Sequence, residues 1–108
     1  MLISGDVVIV PFPFAEGKGH KWRPAVVISS PEFHEKYKLC WVMMVTSAEN
    51  PSWPGDIKIS SLRKAGLGNP SIIRPAKIAT LQVDSVKKIG KISVEISKKL
   101  AGFIRNNI

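Results

Sequence analysis

The chain has one cysteine, Cys40, so no intramolecular disulfide holds it together. Cys40 stands in the apolar run LCWVMMV, the setting of a small core residue. Two histidines, His20 and His34, with that single cysteine do not make a metal-binding spacing, so neither a metal nor another cofactor is expected. No Walker loop and no GxGxxG occurs, which leaves out the common phosphate cradles. No serine or cysteine sits in a nucleophile elbow. Acidic residues number eight and are scattered, a poor basis for a paired-carboxylate hydrolase or a two-metal nuclease. No apolar run approaches the roughly 18 residues of a membrane helix. The N-terminal MLISGD has neither a basic flank nor a long hydrophobic segment. The expectations are therefore no signal peptide, no membrane partner and a cytoplasmic location.

What the chain does have is positive charge. Sixteen Lys and Arg against eight Asp and Glu give a net charge of +8 and a pI near 9.9. Such an excess draws polyanions, and it fits nucleic acid, an acidic protein or an anionic surface. The basic residues are dispersed, with no run longer than two, which argues against a disordered basic tail. With 44% apolar and 22% charged residues, 108 residues suit one globular domain spanning 1–108.

The chain is organised around Gly5–Ser29, GDVVIVPFPFAEGKGHKWRPAVVIS. Val7, Val8, Ile9 and Val10 are β-branched and predict a strand. Pro11 and Pro13 limit ladder pairing, so that strand ends or meets a sheet edge near Phe12 and Phe14. Ala15–Trp22 reads as a mobile loop around Gly17 and Gly19, and Arg23 enters a second strand over Ala25–Ile28. Glu32–Lys38 allows one or two helical turns. Leu39–Val45 predicts a central third strand ending at Thr46-Ser47. Ala48–Gly55 is a proline-bearing loop, Asp56–Ser60 alternates as a strand, and Ser61–Pro70 reads as a loop. Ser71–Leu81 predicts a longer strand with an edge or a bend at Arg74-Pro75. Val83–Lys88 reads as a turn and Gly90–Ser93 as a short strand. Ser93 caps a closing helix with Ile96, Leu100, Phe103, Ile104 and Ile108 on one face. The sum is mainly β: a small barrel of five or six strands with a C-terminal α-helix. RPAVVIS from Arg23 and RPAKIAT from Arg74 look alike over seven residues only, too short for a repeat, but both arginines acquire restricted, extended backbones.

A cationic, hydroxyl-bearing set remains for chemistry: Arg23, Arg74, Lys21, Lys77, His20, Thr46 and Ser47. These residue types suffice for phosphodiester cleavage when the substrate is RNA. The nucleophile is then the RNA's own 2′-OH, and the protein has to align it and neutralise charge on the phosphate. Guanidinium groups offer a phosphate paired donors. DNA lacks the 2′-OH, so the set points to RNA if anything is cut. Trp22, in a glycine- and lysine-bearing segment, is either a packing residue or a base-stacking one. The residues alone describe a basic β-barrel suited to nucleic acid.

The order of motifs adds to this. G5-D-V-V-x-V, a glycine-rich loop, R23-P-A-V-V-I-S, a strand ending V45-T46-S47, S71-I-I-R-P-A-K-I-A-T-L and a C-terminal helix together resemble the MazF/PemK-like toxins of type II toxin–antitoxin systems. The resemblance implies a small SH3-like barrel of the CcdB/MazF type that forms a homodimer with single-stranded RNA across its interface. It implies a metal-independent endoribonuclease that leaves a 2′,3′-cyclic phosphate and a 5′-OH, neutralised by a cognate antitoxin with an acidic segment. On this resemblance Arg23 and Thr46 are catalytic, and His20, Lys21, Trp22, Ser47, Arg74 and Lys77 bind RNA. Some members carry an acid two residues after the second arginine, where this chain has Ala76, and several have glutamine at the position of Lys77. Two other readings stay open: a non-catalytic toxin of the same fold that inhibits DNA gyrase, and an SH3-like nucleic-acid-binding module.

Overall fold

The computed structural model describes residues 1–13 and 20–108, and the side chains of residues 1–11 and 22–108. The elements are β1 (Asp6–Pro13), β2 (His20–Val27), α1 (Pro31–Tyr37), β3 (Leu39–Ser47), β4 (Ile57–Lys58), α2 (Leu62–Ala65), β5 (Ser71–Gln82), a 3₁₀ turn (Val83–Ser85), β6 (Lys87–Lys91) and α3 (Val94–Asn107). The strands form one antiparallel sheet of six in the order β4-β5-β3-β2-β1-β6.

The sheet buries side chains on both faces, because successive residues of a strand point to opposite sides. Val7, Val26, Met43, Val45 and Ile73 form one core with Ile96 and Leu100 of α3. Val8, Val10, Ala25, Val27, Cys40, Val42 and Met44 form the other, closed by Leu2, Leu81, Val83 and Val86. β3 feeds both, which explains its nearly unbroken apolar run. Burial pushes the Cys40 thiol pKa up. Asp6 is also buried; its Oδ2 accepts from the Ile3 N–H at 3.0 Å, and Lys88 Nζ stands 3.2 Å from Oδ1. Among the described residues, no helix is long and apolar enough to cross a membrane.

The prolines mark where ladders stop. β6 pairs with β1 only from Asp6 to Ile9, so Pro11 and Pro13 lie on an edge, where a missing N–H costs no bond. On β5 the partner of Met43 is Ile78 while the partner of Met44 is Arg74, so Pro75, Ala76 and Lys77 bulge out of the ladder. This is the bend expected at Arg74-Pro75. The closing helix also follows its pattern: Ser93 Oγ accepts from the Ile96 N–H at 3.2 Å.

Several boundaries differ from expectation. β2 starts at His20, so His20, Lys21 and Trp22 belong to a strand paired with Pro13, Phe12 and Pro11, not to the preceding loop. The alternation over Asp56–Ser60 yields only a two-residue strand. Ser61–Pro70 contains α2, capped by Gly66 at φ +76°. β6 begins at Lys87, inside the segment read as a turn, and Ile108 lies beyond α3 and is exposed. Phe14 to Gly19, the glycine-bearing part of the expected loop with Lys18, lie outside the described residues, as do the side chains of Phe12, His20 and Lys21.

Candidate functional site

The site begins at Pro24. β2 pairs with β3 at Val27↔Val42, Val26↔Met43 and Ala25↔Met44, and the ladder goes no further. The next residue, Pro24, has no N–H to continue it. Trp22 and Arg23 stay paired with β1, through Pro11 and Val10. Val45, Thr46 and Ser47 stay paired with β5, through Ile73, Ile72 and Ser71. The two strands therefore part, and an open cleft of about 530 Å³ lies between them. Trp22, Arg23 and Pro24 form one wall, Val45, Thr46 and Ser47 the other, with Glu49, Asn69, Pro70 and Ser71 at the end.

Arg23 is half-buried, and among the described residues no carboxylate lies within ion-pair distance of its guanidinium. Trp22, which also lines the cleft, is 58% exposed, so much of a large aromatic ring is open to solvent. Thr46 Oγ1 accepts a hydrogen bond from the side-chain amide of Asn50. A hydroxyl that accepts still keeps its own proton to donate, so this bond leaves the Thr46 O–H available to an anion. Ser47 Oγ accepts from the Glu49 N–H at 3.2 Å, and the Ser47 carbonyl accepts from the Asn50 N–H at 3.1 Å. The Ala48 N–H donates to the Pro70 carbonyl at 3.0 Å, tying the two loops at the end of the cleft.

Arg74 is not among the cleft-lining residues. It is buried, and its Nη2 donates to Asp56 Oδ2 at 2.9 Å and to the Pro51 carbonyl at 2.8 Å, with Nε 3.2 Å from Asp56 Oδ1. The guanidinium carbon lies 4.3 Å above the centre of the Trp53 ring, a cation–π arrangement. Asp56 also accepts from the Trp53 N–H at 2.8 Å. The Arg74 hydrogen bond holds the Asp56 carboxyl below its usual pKa; burial opposes that shift, and the Trp53 N–H adds to it. Lys77 is exposed in the β5 bulge and does not line the cleft.

Of the residues singled out by sequence, Trp22, Arg23, Thr46 and Ser47 share this one cleft, and Arg74 and Lys77 do not line it. His20 and Lys21 lead along β2 toward it, but their side chains are outside the described residues. Sequence reasoning missed Glu49, Asn50 and Asn69. The one signal available was the polar segment TSAENP after a strand, where short polar side chains bond to nearby groups.

The family model described as PemK-like, MazF-like toxin of type II toxin-antitoxin system matches residues 3–107. The chain belongs to this family. Solved structures of similar fold include MazE-MazF (Form-III) from Deinococcus radiodurans, with a TM-score of 0.78, 17% identity and coverage of 97% of this chain and 94% of that chain. MazF (Form-I) from the same organism gives a TM-score of 0.76 at 19% identity, with 97% and 94% covered. An endoribonuclease in complex with its cognate antitoxin, from a Mycobacterial species, gives 0.67 at 14% identity, with 94% and 88% covered. No curated protein matches the chain. The MazF-like fold accounts for the curled sheet with its C-terminal helix. In this PemK/MazF-like chain, the site's position follows from the Pro24 break in the β2–β3 ladder.

Proposed function

We propose that this MazF-like chain is a metal-independent endoribonuclease toxin that cleaves single-stranded RNA. The observation that carries the reading is that Arg23 and Thr46, from different strands, face one solvent-open cleft. A phosphate seated there meets a guanidinium from one wall and a hydroxyl proton from the other. The RNA 2′-OH attacks the adjacent phosphorus, the bond to the 5′-oxygen breaks, and the products are a 2′,3′-cyclic phosphate and a 5′-OH. Arg23 stabilises charge on the non-bridging oxygens as the phosphorus becomes five-coordinate, and Thr46 donates to one of them. Trp22 offers a stacking face to a neighbouring base, and Ser47 borders the phosphate. Glu49, the carboxylate that lines the cleft among the described residues, takes the 2′-OH proton, a role for which β5 offers only Ala76 at the corresponding position. The departing 5′-oxygen gains its proton from solvent. His20, Lys21 and Lys77 act on the RNA beyond the cleft as cationic contacts.

The same surface suits a cognate antitoxin with an acidic segment, given the charge of +8. Two related structures support such a partner: a MazE-MazF complex and an endoribonuclease with its cognate antitoxin. The chain acts as a homodimer with RNA across the interface. The test is incubation of pure protein with end-labelled RNAs of diverse sequence in EDTA, beside Arg23→Ala. Wild type yields cyclic-phosphate ends, and the variant loses at least about 10²-fold in rate. Absence of cleavage of every RNA, or a variant as active as wild type, overturns the reading. A gyrase supercoiling assay then decides whether the chain acts as a non-catalytic toxin on that enzyme.

A further inference from the structure

The contacts of Arg74 run toward the cleft without reaching into it. Its guanidinium is fixed by Asp56 on one side and by the Trp53 ring below. Its remaining bond from Nη2 goes to the carbonyl of Pro51. Pro51 directly follows Asn50, whose side chain donates to Thr46 Oγ1. The Asn50 backbone N–H is bonded to the Ser47 carbonyl, so the residue is held from both ends of the 47–51 turn. Asp56 in turn closes the other side of the loop by accepting from the Trp53 N–H. A planar guanidinium with two partners in fixed directions is a stiff brace, which a lysine cannot reproduce.

The geometry points to Arg74 as a positioning residue: with Asp56 it braces the 50–56 loop so that Asn50 orients the Thr46 hydroxyl toward the phosphate. This rests on the endoribonuclease reading for its consequence, though the brace itself exists without RNA. It assigns Arg74 a role through Asn50 and Thr46 in place of contact with RNA. A small displacement of a donor that meets the transition state lowers turnover far more than it weakens binding. Asp56 gives the decisive variant because it lies on the far side of Arg74 from Thr46 along this chain of contacts. Were Arg74 an RNA contact, Asp56→Asn would release its charge and tighten RNA binding.

The experiment compares Asp56→Asn, Arg74→Lys and Asn50→Ala with wild type in steady-state cleavage of one oligoribonucleotide across a range of salt. The positioning role predicts kcat reduced about 10-fold or more in each, with KM and the salt dependence of RNA binding unchanged. The double variant Asp56→Asn/Asn50→Ala is no slower than Asn50→Ala alone, since both act through one contact. A lower KM with kcat intact in Asp56→Asn, or fully multiplicative losses in the double variant, overturns the proposal. A second arm needs no RNA. The Asn50 side-chain amide protons exchange slowly by NMR in wild type and faster in Asp56→Asn and Arg74→Lys. Unchanged exchange there overturns the brace even in folded variants. Loss of wild-type cleavage with the exchange effect present would instead overturn the endoribonuclease reading and leave the brace standing.

Discussion

Glu49 brings a negative charge into a cleft lined also by Arg23, hydroxyls, an indole, an amide and apolar residues, and in the proposed function that charge opposes RNA binding. In the proposed reaction the carboxylate offsets that repulsion by accepting the 2′-OH proton. Glu49→Gln removes the base and the repulsion together. Cleavage is expected to fall about 10²-fold while RNA binding stays equal or tightens, read by single-turnover rates and fluorescence anisotropy. Equal rates would remove Glu49 from the reaction. Asp56 is the other informative carboxylate. Its folded pKa lies below its unfolded one because Arg74 donates to the charged form. Its contribution to stability is therefore complete above the unfolded value of about 4 and is lost as pH falls through the lower, folded value. Asp56→Asn should be less stable than wild type at neutral pH, and the gap should close as urea titrations are repeated below about pH 4. A gap that stays constant with pH would mean that the ion pair contributes nothing to the fold.

At the scale of elements, the short helix α2 and the edge strand β6 touch backbone to backbone through two glycines. A Cβ on Gly66 would lie 2.2 Å from the Ile89 carbonyl oxygen, and one on Gly90 would lie 2.4 Å from the Ala65 carbonyl carbon. Gly66 also has a positive φ of +76°, which side chains disfavour. Gly90→Ala is expected to cost about 3 kcal/mol in chemical denaturation, because neither neighbour is a flexible side chain that can yield. A cost under about 0.5 kcal/mol would show that the contact is looser than the structure has it. This pair was not legible in the sequence, since nothing in SLRKAGLGNP or KKIGK signals that two distant glycines meet. Elements whose cause is local were legible. The β-branched run at Val7 to Val10, the capped amphipathic α3 and the bulge at Pro75 each follow from nearby residues. Gly17 and Gly19 predict a loop through Trp22, whereas pairing with β1 extends β2 back to His20. The site divided the same way. Pro24 predicts an extended Arg23 at the entry to the second strand, and Thr46-Ser47 predicts a strand end; the parting of β2 from β3 at Pro24 came only with the pairing. That Arg74 would be taken up by Asp56, eighteen residues upstream, depended on a non-local contact that no spacing encodes.

At the scale of the whole molecule, the charge of +8 and the cleft do different jobs, and salt separates them. Lys87, Lys88 and Lys91 of β6 and the lysines of α3 lie on elements that do not line the cleft, so in the proposed function they would act on RNA as a diffuse field. Each phosphate neutralised on a single strand makes log K fall with log salt by a slope of about 0.7. An RNA that engages four phosphates should therefore lose about 50-fold in affinity between 50 and 200 mM salt. In the proposed reaction Arg23 and Thr46 would act on a phosphate already seated between two walls, where counterions compete far less. The expected result is a KM that climbs steeply with salt beside a kcat that changes less than about threefold, measured on one oligoribonucleotide at constant pH. The opposite split, a kcat that collapses while KM holds, would mean that the dispersed lysines stabilise the transition state. It would then be the field of the molecule, not the break in the ladder at Pro24, that makes the chemistry possible.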